Sequence, residues 1–245
     1  MFDRAAARPL KFFCLALGLT LAMPMVTADD EAARATLNSE DLFGLQWASE
    51  VQISPDGERI AYVRSINDIM IDRTRQNLWI ISADGSDHRP LLSGPESASS
   101  PRFSPDGERL AYLAQSGDRT QLFVTWLDRG DTALISNLTE SPSDLAWSPD
   151  GQSIAFVMRV TADKPALVSP PTRPDGAEWA PEVRVIDAVT YRFDGRGYGE
   201  PGFDHVFVIP AAGGSARQLT SGEFDHHGPL AWMPDGEAVL FTSNR

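Results

Sequence analysis

Ser54-Pro55-Asp56-Gly57 returns as Ser104-Pro105-Asp106-Gly107, as Ser148-Pro149-Asp150-Gly151 and, with one change, as Met233-Pro234-Asp235-Gly236. Proline presets φ for the first corner of a turn, aspartate tolerates the second corner and bonds to its own backbone, and glycine takes the left-handed position without a Cβ clash. Each stretch therefore reads as the turn of a hairpin. Three residues after each glycine an apolar run begins: Ile60-Ala61-Tyr62-Val63, Leu110-Ala111-Tyr112-Leu113, Ile154-Ala155-Phe156-Val157 and Val239-Leu240-Phe241-Thr242. These read as four equivalent strands, and because they are apolar at nearly every position, both faces of each are expected to be covered. Ile53, Phe103, Trp147 and Trp232 mark the other arm of each hairpin.

The intervening sequence keeps the same order. In the first unit a polar connection over 68–76 leads to a third strand, Leu78-Trp79-Ile80-Ile81, a turn at Ser82-Ala83-Asp84-Gly85 and a short fourth strand, Arg89-Pro90-Leu91-Leu92. The second unit repeats it with Leu122 to Trp126, a turn over 128–131, and Ala133 to Leu138. The third unit departs: 22 positions separate Gly57 from Trp79 and 16 separate Gly107 from Phe123, but 56 separate Gly151 from Phe207. About 35 to 40 residues are inserted there, by comparison of the repeats. Two blades in place of one enlarged blade would need a second Pro-Asp-Gly turn with its apolar strand, and none occurs in that interval. Ala162 to Pro181 reads as an exposed loop, Val183 to Phe193 as strand, and Asp194-Gly195-Arg196-Gly197 as the turn that closes it. A fourth unit opens at about Leu230.

Four-stranded units recurring through an all-β chain predict a partial β-propeller of about three and a half blades, the third enlarged by the insertion. The predicted organisation is a signal peptide over 1–28, a mobile or helical lead-in over 29–40, and an incomplete propeller over 41–245. Its blades are expected near 45–95, 100–140, 144–221 with the insertion at 160–204, and 224–245. An unclosed ring leaves apolar faces and strand edges in water, so self-association is expected.

Composition narrows the function. The 245 residues are 42% hydrophobic with a formal net charge of −13, and no basic stripe offers itself to nucleic acid. Arg4, Arg8 and Lys11 precede an apolar run from Phe12 to Met23, and Val26-Thr27-Ala28 supplies small residues for cleavage after Ala28. That is the layout of a Sec-type signal peptide, which puts the mature chain in the periplasm or outside the cell. The apolar run is shorter than a membrane-spanning helix requires, so no stable membrane insertion is expected after cleavage; a retained anchor is the competing reading. Cys14, the sole cysteine, lies inside this segment, which removes disulfides, thiolate catalysis and cysteine metal sites from the mature chain.

Several motifs invite a functional reading. Gly197-Tyr198-Gly199-Glu200-Pro201-Gly202 has dinucleotide spacing, but a strand follows it where that site needs a helix. Asp225-His226-His227 holds possible metal ligands, yet neighbours on a strand point to opposite faces. Asn137-Leu138-Thr139 fits a glycosylation sequon. Asp56, Asp106, Asp150 and Asp235 recur too regularly for a paired acid and base and read as turn residues. Neither a metal nor another cofactor is expected. The candidate substrate-binding residues are Arg192, Asp194 and Arg196, because a long loop on a rigid scaffold often carries function and an arginine there suits a peptide carboxylate.

Three passages resemble the N-terminal propeller of the prolyl oligopeptidase family of serine peptidases, in its bacterial dipeptidyl-peptidase and acylaminoacyl-peptidase-like branches. They are Asp41-Leu42-Phe43 with Val51 to Gly57, the Pro-Asp repeat itself, and Tyr191-Arg192-Phe193-Asp194-Gly195-Arg196-Gly197-Tyr198 with the later Arg217-Gln218-Leu219-Thr220. The turn repeat is shared with the periplasmic propeller of the Tol system, a protein-binding platform and the alternative reading. The resemblance implies a parent that acts on short peptides, with a C-terminal α/β-hydrolase domain and further blades as the partners of this chain. A nucleophile elbow needs Gly-x-Ser-x-Gly, which the sequence does not contain; Gly213-Gly214-Ser215-Ala216-Arg217 lacks the closing glycine. No residue of the chain is expected to be catalytic, and its implied role is substrate gating.

Overall fold

The computed structural model describes residues 36–92, 94–162, 171–180, 184–186, 189, 191–195 and 197–245. The predicted signal peptide and most of the lead-in lie outside the described residues. Among the described residues, a short helical turn, α1 (Asp41–Gly44), precedes sixteen strands. Strands β1 (Gln46–Ile53), β2 (Arg59–Asp68), β3 (Arg73–Ser82) and β4 (Arg89–Leu92) form one antiparallel sheet in that order. A second contains β5 (Ala98–Phe103), β6 (Arg109–Ser116), β7 (Arg119–Trp126) and β8 (Thr132–Leu134).

The third sheet joins β9 (Pro142–Trp147) and β10 (Ser153–Thr161) to β13 (Gly202–Pro210) and β14 (Arg217–Gln218). The hairpin of β11 (Arg192–Phe193) and β12 (Gly197–Tyr198) lies in the insertion between β10 and β13. A last hairpin pairs β15 (His226–Trp232) with β16 (Val239–Ser243). The first strands of successive sheets follow one another: β5 packs on β1, β9 on β5, and β15 on β9. This is a partial β-propeller whose third blade is enlarged by an insertion.

The apolar run after each turn has a fixed orientation. Leu110 and Tyr112 join a buried cluster with Ala61, Val63 and Leu78 of the first sheet. Ala111 and Leu113 join another with Ile154, Phe156 and Met158 of the third. First and third positions thus face the preceding blade, and second and fourth positions the following one. The aromatic at the third place stacks on its cross-strand partner, Tyr112 on Phe123 at 5.5 Å and Phe156 on Phe207 at 5.6 Å.

The four runs are not equivalent, contrary to the expectation that every face is covered. Ile60 and Tyr62 face away from the second sheet and are only half-buried, and Leu240 is 58% exposed. Their strands belong to the first and last sheets, each of which has a neighbour on one side only. Two further expectations shift. The Ala133 to Leu138 strand ends at Leu134, because the side chain of buried Gln121 takes over the ladder: Ser136 Oγ and the Leu138 amide donate to its Oε1 at 2.7 and 2.8 Å. The first strand of the last unit begins at His226, ahead of Leu230 and inside the expected 224–245 blade, and the fully buried His226 ring acts as a core residue.

Each turn is held by its own side chains. Ser54 Oγ donates to Asp56 Oδ1 at 2.5 Å and accepts from the Arg59 amide at 2.9 Å, while the Glu58 amide donates to the same carboxylate at 3.0 Å. Ser104 with Asp106, and Ser148 with Asp150, repeat the pattern. The Ser54 hydroxyl, the Glu58 amide and Arg59 hold Asp56 below the usual carboxylate range, and the Ser148 hydroxyl and Gln152 amide do the same for Asp150. Burial pushes Asp106 up, but the bonds from Ser104, Glu108 and Arg109 outweigh it and leave it lowered.

Carboxyls depressed in the folded chain stabilise it above their unfolded value of about 3.9, and that contribution is lost as pH falls through the folded value. Thermal unfolding followed across the acid range is therefore expected to show the midpoint dropping below about pH 4. Ser148→Ala is expected to flatten that limb; an unchanged slope would dissociate the turns from acid stability.

Candidate functional site

The inter-blade seams hold the scaffold on which any site depends. Arg59 Nη2 donates to the Gly107 carbonyl at 2.9 Å and Arg109 Nη2 to the Gly151 carbonyl at 3.0 Å, so the residue after one turn clasps the turn of the next blade. Arg109 also lies 4.8 Å above the Trp147 ring, whose Nε1 donates to the Arg102 carbonyl at 2.9 Å. Trp232 repeats the link, donating to the Ala146 carbonyl at 3.1 Å.

The insertion leaves the third sheet at Thr161 and returns at Gly202, which are paired. Arg159 braces the returning limb. Its Nε and Nη2 donate to the Glu200 carbonyl at 3.1 and 2.9 Å, Nη2 to the Gly202 carbonyl at 2.5 Å, and Nη1 to Asp204 at 3.1 Å. Reading the sequence for turns and apolar runs passed over this residue; the available signal was a lone guanidinium closing an otherwise apolar strand, Ile154 to Met158.

Beyond the brace, Arg192 pairs with Tyr198 and Phe193 with Gly197 across the β11–β12 hairpin. The Tyr191 and Tyr198 rings stack at 6.2 Å, and the guanidiniums of Arg184 and Arg192 lie 4.2 and 5.7 Å from the Tyr198 ring. Tyr191, Phe193 and Tyr198 are nevertheless 44%, 47% and 45% exposed, so the hairpin presents aromatic surface beside cationic groups. Val189, Tyr191, Arg192 and Asp194 line a cavity of about 430 Å³. Arg192 and Asp194 thereby border the same open depression, while Arg196 lies outside the described residues. The predicted strand from Val183 to Phe193 is confined, among the described residues, to Arg192–Phe193. Paired carbonyls and amides require a partner strand, and the hairpin supplies one only next to its turn.

The other motifs fall elsewhere. Gly202 opens strand β13, so the Gly197 to Gly202 run does not present a helix N-terminus. His226 is fully buried and His227 exposed, on opposite faces of β15. Among the described residues, no three potential metal ligands gather, and no helix is long and apolar enough to cross a membrane. Asn137 is exposed beside buried Leu138.

Residues 55–168 match the family described as the TolB beta propeller domain. The chain is 27% identical over 209 residues to a Bacillus subtilis protein named uncharacterized peptidase YuxL, covering 85% of this chain and 31% of that protein. Among solved structures it is similar to an acylaminoacyl peptidase of Pyrococcus horikoshii, with a TM-score of 0.58 at 16% identity over 75% of this chain and 26% of that one. A puromycin-hydrolyzing peptidase of Mycobacterium tuberculosis gives a TM-score of 0.52 at 18% identity, over 81% and 28% of the two chains. The resemblance to peptidase propellers noted in the sequence is thus met by the fold, and the chain spans about a third or less of the length of these relatives.

Proposed function

We propose that this chain is a fragment of the N-terminal propeller of a secreted serine peptidase of the prolyl oligopeptidase type, which gates access of short peptides and carries no catalytic residue of its own. The observation that carries the reading is the fold likeness to peptidases of which the chain covers about a third or less. Its partners are then a C-terminal α/β-hydrolase domain and the blades that complete the ring. The signal-like residues 1–28 support a periplasmic or secreted location.

The insertion hairpin is the contact point for substrate in this reading. A cation and an anion bordering one open depression suit the two ends of an unblocked peptide, with Arg192 taking the carboxylate by paired hydrogen bonds and Asp194 the amine. The match to the TolB propeller domain supports a second reading, a periplasmic protein-binding platform without a peptidase partner.

Titration with unblocked tripeptides separates the two. Binding is expected, and Arg192→Ala is expected to weaken it about tenfold or more, the effect of removing one charge-assisted hydrogen-bond pair. Dipeptidyl and acyl-aminoacyl chromogenic substrates should not be turned over by residues 29–245. Hydrolysis sensitive to serine inhibitors would overturn the assignment of catalysis to a separate domain, and absence of peptide binding would favour the platform.

A further inference from the structure

Two histidines sit where the last hairpin meets the third sheet. His226, which opens β15, is fully buried. Its Nδ1 lies 3.2 Å from the Asp204 carbonyl oxygen. A carbonyl only accepts, so Nδ1 carries the proton and Nε2 is left with a lone pair. That Nε2 is buried without a hydrogen-bond partner. Packed around the ring are His205 of β13 at 5.1 Å, Phe224 at 5.2 Å and Phe241 of β16 at 5.3 Å. His205 is 4% exposed, with Nδ1 3.3 Å from Thr220 Oγ1.

The charged groups of the seam are already engaged with one another. Arg159 from β10 lies 3.1 Å from Asp204 and 3.8 Å from Asp225. His227 Nδ1 lies 4.0 Å from the other oxygen of Asp204. Arg245 follows β16 and stands 4.9 Å over the Phe224 ring. None of them bonds to His226 Nε2. A proton added to His205 would place a buried charge 5.1 Å from the His226 ring.

We propose that His205, buried against the His226 ring, is a proton-operated seat that holds the β15–β16 hairpin on the third sheet when its own ring is neutral and releases it on acidification. Burial first, and His226 second, hold His205 below the ordinary imidazole range, against the upward pull of Asp204 and Asp225. The sign follows from linkage. The released state binds more protons than the seated one, so seating weakens as pH falls through the unperturbed value of about 6.5. The hairpin packs against β9, β10 and β13, so its release opens the seam between the third and last sheets.

Amide hydrogen exchange on the whole chain tests this at about pH 7.5 and about pH 5.5, with rates corrected for intrinsic exchange. Protection of residues 226–243 is expected to fall about tenfold or more at the lower pH, the equivalent of one proton shifted by one pH unit. Protection of β6 and β7 should hold. His205→Phe keeps a ring against His226 and is expected to make the hairpin much less sensitive to pH. Equal hairpin protection at both pH values, or the same loss in His205→Phe as in the unaltered chain, overturns the proposal. Should that variant fail to fold, the imidazole resonances of the unaltered chain decide: His205 titrating below the ordinary histidine value supports the seat, and titration at or above it overturns the seat.

Discussion

Phe156→Ala is expected to destabilise the chain by about 4 kcal/mol, the usual cost of emptying a fully buried aromatic site. The ring is fully buried, stacks on Phe207 at 5.6 Å and closes the cluster between the second and third sheets with Leu113, Leu122 and Val124. Nothing polar can fill the space, because its walls come from two sheets whose backbones are already paired. With a urea dependence of about 2 kcal/mol per molar, the unfolding midpoint should fall by about 2 M. An unchanged midpoint would mean that the two blades are not packed face to face. Tyr62, the matching residue of the first sheet, has no preceding blade against it and is only half-buried, so its truncation should cost much less.

Gly202→Ala is the second large effect. A Cβ at this position would lie 2.1 Å from the Val160 carbonyl oxygen and 2.8 Å from Thr161 Cα, with φ at +126°. Both obstacles are backbone of the paired strand, so the two limbs of the insertion must part. Strain and overpacking together are expected to cost about 3 kcal/mol. The damage should stay local: limited proteolysis is expected to cut the insertion far faster, while the second blade remains protected. Gly57→Ala is the comparison. Its φ is also positive, at +75°, but nothing lies within 4 Å, so it should cost about 1 kcal/mol and leave the insertion uncut. Equal proteolysis of the two variants would remove the closed base of the insertion from the account.

The turn repeat made the architecture legible because proline, aspartate and glycine each act on their own backbone, and local causes show in local sequence. The direction in which each apolar residue points was also recoverable, since Leu110-Ala111-Tyr112-Leu113 must alternate between two neighbours once both faces are covered. Other features depend on partners distant in sequence. Arg159 looks like a stray charge until Glu200 and Gly202 return beside it. His226 looks like a metal ligand or a loop residue until His205, Phe224 and Phe241 enclose it. Of the candidate site, Arg192 and Asp194 do share a cavity, but the flanking Arg184 and Tyr198 stack arises from a fold-back that no periodicity encodes.

The turns also stand in a one-way file. The Pro55 ring lies 3.5 Å from where a Cβ would stand on Gly107, Pro105 lies 3.6 Å from the same point on Gly151, and Pro149 lies 3.8 Å from it on Gly236. Arg59 and Arg109 reach forward in the same sense. Every such contact is completed by a repeat that is synthesised later. Each clasp is thus supplied by the successor in the chain, so a chain cut after the first, second or third repeat would leave the turn of that repeat unclasped.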